Sequence, residues 1–256
     1  MAELTTRRTA QEIFEKVAEN AADELGRSSR ALAFSGVAGG MGMGLTGLSV
    51  AVAQSVLGSG PWQDFASLMF FPLGFVAVII GRAQLFTENT LFPVALVLSE
   101  RKHVLNTLRL WSVVFAANIA GAMLFALVTM KTGALPYEVG IRLAALGMRS
   151  VAGSSGHIFW SGVIGGWIIA LMAWTVTASH WTIGQIAVTW MLTVVVGMGH
   201  FAHCIATSGE ILSAVFTNQV AVSTYGHWLL FATLGNMVGG VTFVTLLNFG
   251  QVKIED

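Results

Sequence analysis

The sequence predicts an all-α membrane protein with six transmembrane helices, the second and fifth of them interrupted. Three observations carry that prediction. Of 256 residues, 55% are hydrophobic and 10% charged, with a mean hydropathy of +0.73, whereas a soluble domain carries about 25% charged residues. Apolar runs long enough to cross a hydrocarbon core of about 30 Å recur along the chain. Two of those runs are broken by polar residues, at Gly81–Leu91 and at Gly199–Glu210. Hydrocarbon cannot hydrate the backbone freed there, so each break must be shielded by protein or line a cavity.

Residues 1–30 read as an N-terminal segment with scattered charges and no apolar core of the kind a cleavable signal needs. Within it, residues 9–25 put Ile13, Phe14, Val17, Ala21 and Leu25 on one helical face. That is the pattern of an amphipathic surface helix, or equally of a solvated helix packed on loops. The six-span domain then occupies residues 31–250, with spans at 31–57, 61–98 (interrupted), 105–130, 157–179, 183–216 (interrupted) and 226–250, and residues 251–256 form a tail.

Orientation follows from basic residues near the span ends. Nine of them, Arg7, Arg8, Lys16, Arg27, Arg30, Arg101, Lys102, Arg109 and Lys253, fall on the side of the termini, against Lys131, Arg142 and Arg149 opposite. Both termini are therefore expected in the cytoplasm. A net charge of zero suggests no nucleic-acid or acidic partner, and the single cysteine, Cys204, excludes an intrachain disulfide and a cysteine-based metal site.

Asn118-Ile119-Ala120-Gly121 in span three matches Asn236-Met237-Val238-Gly239 in span six, an offset of 118 residues that also carries Phe86 onto Cys204. The two interrupted spans thus occupy corresponding places in two three-span halves. An odd number of spans per half inverts one half relative to the other, and paired broken helices point to a substrate path near the bilayer midplane. Glycine clusters in spans one, four and six (Gly36 to Gly47, Gly162 to Gly166, Gly235 to Gly240) suit close helix approach.

The second break carries His200, His203 and Glu210 deep within span five. A histidine is tolerated there because it can be neutral. Spaced i and i+3 on one helical face, the two histidines could be structural, metal-ligating or proton-handling; no further ligands for a metal stand nearby in the sequence. A neutral imidazole at mid-membrane can lend or take a proton, which suits a small weak-acid anion that low dielectric expels unless protonated. Phe70, Phe71, Phe75 and Phe86 could supply apolar constrictions, or simply fill the bundle or face lipid. Arg82, Glu88 and Glu210 are expected to pair, as Arg82 with Glu88 or with Glu210, because unpaired charges are rare at that depth. Thr87, Asn89, Thr90 and Thr207 can cap freed helix ends or steer an anion.

On Leu85-Phe86-Thr87, Phe201-Ala202-His203-Cys204-Ile205-Ala206, Asn118-x-x-Gly121 and Gly235-Asn236-x-x-Gly239-Gly240, the chain resembles the formate/nitrite transporter family of pentameric small-anion channels. The resemblance runs over nearly the whole chain. It implies an aquaporin-like protomer, a homopentamer in a bacterial inner membrane, and passage of a small monovalent anion with a proton. It implies no cofactor, metal or enzymatic activity. By the same resemblance His203 is the central pore histidine, Thr87 the polar residue of the first break, and Phe71, Phe75, Phe86 and Val196 the constrictions around it; Asn89 and Thr207 are added to the pore on their polar side chains rather than on the resemblance. His200 matches no family site. The family's entrance lysine and span-four asparagine fall near Ser150 and at Gly166, with Arg149 available to replace the lysine's charge, and Thr207 stands where an asparagine is usual.

Two other readings compete. Gly153-Ser154-Ser155-Gly156 fits the string of an intramembrane serine protease, with Ser155 as nucleophile and His200 or His203 as base, although such small-residue strings are ordinary loop material. A neutral-solute channel for ammonia or water is the nearer rival. No Asn-Pro-Ala occurs, the four prolines being Pro61, Pro72, Pro93 and Pro136.

Overall fold

A computed structural model describes residues 7–100 and 102–253; Arg101 and residues 254–256 of the tail, both part of the sequence reading, lie outside it, as do residues 1–6. The described residues are mainly helical and contain no strand. Helix α1 (Ala10–Gly26) opens with a capping box in which Thr9 and Glu12 satisfy each other's backbone. It buries the five residues that the periodicity selects, Ile13, Phe14, Val17, Ala21 and Leu25. Their cover is protein, because α1 lies on the later helices α5, α8 and α12.

Helix α2 (Ser29–Leu57) is followed by α3 (Pro61–Leu68) and α4 (Pro72–Ile80), then by a non-helical stretch with one 3₁₀ turn (Glu88–Thr90), and by α5 (Phe92–Glu100). Helix α6 (Val104–Lys131) closes the first half. The second half repeats the order with α7 (Tyr137–Ser150), α8 (Ser155–Ala178), α9 (Thr182–Met198), α10 (Ala206–Phe216) and α11 (Val222–Gly240), which continues through a π-helical stretch (Val241–Leu246) into α12 (Leu247–Lys253). Five of these segments are long and apolar enough to cross a membrane: Ser29–Leu57, Pro61–Ile80, Val104–Lys131, Ser155–Ala178 and Val222–Val252. The remaining sequence-predicted span, the fifth at 183–216, divides into α9 of 17 residues and α10 of 11 residues. At 1.5 Å per residue neither piece alone covers a core of about 30 Å.

Helix α7 was not foreseen, its residues reading as a loop between spans. Its apolar residues Val139, Leu143, Ala144, Leu146 and Gly147 recur at helical spacing and are buried against α2 and α10. The same packing carries Arg149 to the end of the bundle.

Two helix pairs form the frame, α2 with α6 and α8 with α11. Contact is this close because the facing positions are glycine: a Cβ on Gly40 would collide with the Asn118 carbonyl, and one on Gly166 with the Asn236 carbonyl. Each pair holds one break by one asparagine. Asn118 Nδ2 donates to the carbonyls of Gly36 (2.7 Å) and Gln84 (2.8 Å), while its Oδ1 accepts from the Phe86 N–H (2.9 Å). Asn236 Nδ2 donates to Gly162 (2.8 Å) and Ala202 (2.8 Å), and its Oδ1 accepts from the Cys204 N–H (2.8 Å). Ser35 Oγ accepts from the Gln84 N–H and Ser161 Oγ from the Ala202 N–H in the same way. The backbone also turns alike, with Arg82 at φ 56° and His200 at φ 48°, left-handed values rare for such residues.

Replacing Asn236 by alanine deletes three hydrogen bonds and leaves two carbonyls and an N–H in the bundle without that partner. A loss of ~3 kcal/mol is expected, at the lower end of about 1–3 kcal/mol per orphaned group. It should appear as a marked fall in the thermal stability of the detergent-solubilised protein. Asn118→Ala is expected to behave alike.

Candidate functional site: a buried histidine between two cavities

His203 sits in the second break, immediately before the tied Cys204 amide. Its side chain is fully buried. Nδ1 accepts from the backbone N–H groups of Ala206 (3.0 Å) and Ile205 (3.3 Å), so the imidazole caps the first turn of α10. Nε2 lies 2.8 Å from Thr87 Oγ1, across from the first break. Two donors aimed at Nδ1 assign the ring's proton to Nε2, which makes Thr87 Oγ1 the acceptor. Thr87 is in turn positioned by its own segment: its carbonyl accepts from Thr90 Oγ1 (2.7 Å), and the Thr90 carbonyl accepts from Thr245 Oγ1 (3.2 Å) in the π-helical stretch.

Aromatic rings pack on one side of the imidazole. Phe75 meets the His203 ring edge-on at 5.2 Å between centroids, and Phe71 lies 5.8 Å beyond Phe75. Outside Phe71 and Val196 a cavity of about 220 Å³ opens, lined by Arg149, His157, His200, Thr207 and Glu210 among others. A second cavity, of about 330 Å³, lies under α1 and is lined by Arg8, Lys16, Glu24, Arg82, Glu88 and Asn89 among others. Neither cavity is lined by His203 or Thr87. The two side chains meet between the breaks, buried away from both cavities.

Residues 11–250 match the sequence profile of the family described as Formate/nitrite transporter. The chain belongs to that family. Members are transporters and channels rather than enzymes. Among its relatives, the inner membrane protein YfdC of Escherichia coli K12 is 30% identical over 95% of this chain and 79% of its own. The probable formate transporter of Methanothermobacter thermautotrophicus is 29% identical over 69% of this chain and 71% of its own. Two solved structures share the fold: an FNT family ion channel (TM-score 0.81, 20% identity, 93% of this chain and 98% of that one) and a pentameric formate channel with formate bound (TM-score 0.74, 18% identity, 88% and 98%).

Against the resemblance to the formate/nitrite transporter family, most expected positions come together and several do not. His203, Thr87, Phe75, Phe71 and Val196 form one continuous group, with Thr207 in the cavity beyond Phe71. Asn89 lines the α1 cavity and is held by its Nδ2 bonds to Gln84 Oε1 (2.9 Å) and the Leu85 carbonyl (3.2 Å). Phe86 turns toward α6, stacking edge-on with Phe115 and Trp111. Phe70 faces outward into an apolar groove with Leu45, Val52 and Leu73. The site of the family asparagine, Gly166, has no room for any side chain, whereas Arg149 and Ser150 do line the cavity.

His200 and His203 do not share a helical face. The chain leaves α9 at Met198 and turns left-handed at His200, so His200 is exposed to the cavity while His203 is sealed. The expected ion pairs are absent as well. The four pairs among the described residues are Lys16–Glu19, Arg27–Glu24, Lys102–Glu100 and His103–Glu100, none involving Arg82, Glu88 or Glu210. Arg82 and Glu88 line the α1 cavity and Glu210 the other. Ser155 lies at the start of α8 with His227 Nε2 at 2.9 Å, away from both histidines of the break. No cluster of three or more metal-ligating side chains occurs among the described residues.

In protein labelled with ¹⁵N-histidine, His203 at neutral pH is expected to show a protonated Nε2 and an unprotonated Nδ1. Thr87→Val should move the Nε2 resonance and leave Nδ1 unchanged. The opposite tautomer would contradict the assignment.

Proposed function

We propose that the chain is a channel or transporter for small monovalent anions, or their conjugate weak acids, of the formate and nitrite kind. The observation that carries the proposal is the His203–Thr87 pair, an N–H donor and a hydroxyl buried together between the two breaks, with a cavity on the side of each break. Family membership and the fold shared with a pentameric formate channel support it. In this reading α9 and α10 cross as one interrupted span, as α3 to α5 do. The protomer then has six spans in two inverted, aquaporin-like halves and assembles as a homopentamer. The apolar groove at Phe70 and the exposed Val56, Trp62 and Leu105 would face lipid or a neighbouring protomer. By the distribution of basic residues the α1 cavity is cytoplasmic, both termini with it, and the membrane is the bacterial inner membrane. Residues 1–30 form the cytoplasmic segment, 31–250 the channel and 251–256 the tail.

The steps follow from the residues. An anion entering the outer cavity is drawn by Arg149 and loses its water at Phe71, Val196 and Phe75, where the low dielectric rejects bare charge. Rotation of the Phe75 ring opens the way to Nε2–H of His203, which donates to the anion in place of Thr87. The Thr87 hydroxyl, released from accepting, can donate as well. Thr207 steers the solute before this point and Asn89 after it, on the way to the α1 cavity. Arg82 and Glu88 remain there as polar lining rather than as an ion pair. His203 keeps its Nδ1 bonds throughout, so the anion meets a fixed hydrogen-bond donor.

In proteoliposomes, a panel of formate, nitrite, acetate, lactate and hydrosulfide is expected to show flux of at least one small anion. His203→Ala should change its rate by roughly tenfold or more, since a hydrogen bond to a charged group is worth about 1.5–3 kcal/mol. Unchanged flux at every pH would remove His203 from the path. Ammonia or water flux with no response to any of the anions would favour the neutral-solute reading.

A further inference from the structure

Among the described residues Glu210 is the one acidic side chain lining the outer cavity, and the strangest group in it for an anion path. It lies one turn beyond Thr207 on α10, is 7% exposed, and makes no side-chain hydrogen bond among the described residues. Among the described residues no cationic nitrogen stands within ion-pair distance of it. The fold makes room for it: a Cβ on Gly47 of α2 would collide with its side chain. A buried carboxylate without a partner is strongly disfavoured in a membrane bundle, whereas a neutral carboxyl is a competent hydrogen-bond donor.

We infer that Glu210 is the proton-loading residue of the outer cavity, holding a proton that it transfers to the entering anion before the anion reaches His203. The inference rests on the anion reading above. In this step the Glu210 O–H bond breaks, an O–H, N–H or S–H bond forms on the anion, and a carboxylate is left behind. Cavity water supplies the next proton from the adjoining aqueous phase. The neutral acid then passes Phe71 and Phe75 far more easily than the anion would. His203 is poorly placed for this task, because a second proton on its ring would face the N–H groups of Ile205 and Ala206.

The other titratable and charged groups around Glu210 are few. Arg149 on α7, His157 on α8 and His200 at the break share the cavity, and Arg149 can stabilise the carboxylate once the proton has gone. Of the helices packed on α10, α2 has its only charge, Arg30, near its start, and α6 has Arg109 and Lys131 near its ends. Glu138 and Arg142 lie on the earlier turns of α7. Helix α11 brings Tyr225, whose hydroxyl donates to Ser208 Oγ (3.0 Å), and His227, which is bound to Ser155.

The test uses the full chain in proteoliposomes with a lumenal pH dye, measuring formate flux and the protons that accompany it. Glu210→Gln keeps the shape and removes the proton. It is expected to lower proton-accompanied flux by roughly a hundredfold, the lower end for a positioned proton donor, and to flatten the pH profile, with Glu210→Asp partly restoring both. Wild-type flux, proton ratio and pH profile in Glu210→Gln would overturn the role of Glu210 alone, whereas a wild type that passes no anion would overturn the anion reading with it. Infrared spectra separate the two without transport. At neutral pH the purified wild type should show a protonated-carboxyl C=O band that Glu210→Gln removes and Glu210→Asp shifts, and absence of such a band would overturn the proposal. Should Glu210→Gln fail to fold, Glu210→Asp carries the test: a displaced pH profile supports the role and an unmoved one overturns it.

Discussion

One carboxamide for each broken helix is the constraint on which the site depends. A helix that stops inside a membrane exposes N–H and C=O groups that lipid cannot satisfy. An asparagine side chain has one acceptor oxygen and two donor hydrogens, and here each of these is used. Asn236 ties Cys204 and Ala202 on either side of His203 and anchors them to Gly162 on α8. The position of the imidazole is thereby fixed by its neighbours' backbone before its own side chain makes any bond. Its Nδ1 then completes the first turn of α10, and only Nε2 is left to face Thr87.

The same frame is used twice with different side chains. At the offset that maps Asn118 on Asn236, Leu85 stands for His203, Arg82 for His200 and Phe92 for Glu210. The backbone hydrogen bonds agree at each break: Gly81 to Ala77 with Gly199 to Val195, Ala83 to Val78 with Phe201 to Val196, and Asn89 to Leu85 with Thr207 to His203. Function therefore resides in the differences. The first break supplies Thr87 and a buried leucine, and the second supplies the imidazole and the acid. The two cavities differ as well: the one under α1 carries basic (Arg8, Lys16, Arg82) and acidic (Asp23, Glu24, Glu88) side chains alike, and the other has Glu210 as its one carboxyl among the described residues.

Much of this was legible in the sequence where a physical pattern repeats. The apolar face of α1, both breaks and the 118-residue repeat all rest on periodicity or on the matched Asn-x-x-Gly strings, which packing does not alter. The features that sequence missed depend on direction. Helix α7 reads as a loop because Arg142 and Arg149 interrupt its apolar stripe, yet Val139, Leu143 and Leu146 at spacings of four and three were the available signal. His200 and His203 read as neighbours on a helix face because nothing local announces a left-handed turn at a histidine. The supposed pairs of Arg82 failed for a similar reason. Arg82 and Glu210 stand in different breaks and line different cavities, whereas Arg82 and Glu88 share the α1 cavity without coming within ion-pair distance. Phe86 follows its tied N–H toward α6, whereas Phe75, on the regular helix before the break, is the ring that reaches His203.

The arrangement stands or falls on the two tied amides. Hydrogen exchange of the Phe86 and Cys204 N–H groups in the lipid-embedded protein measures them directly. Exchange as slow as that of the core of α6, in segments that are not helical, is the expected result, with Asn118→Ala and Asn236→Ala each accelerating the amide it holds. Rapid exchange of both amides in the wild type, at the rate of solvent-lined loops, would contradict the central claim that the carboxamides hold the breaks in place.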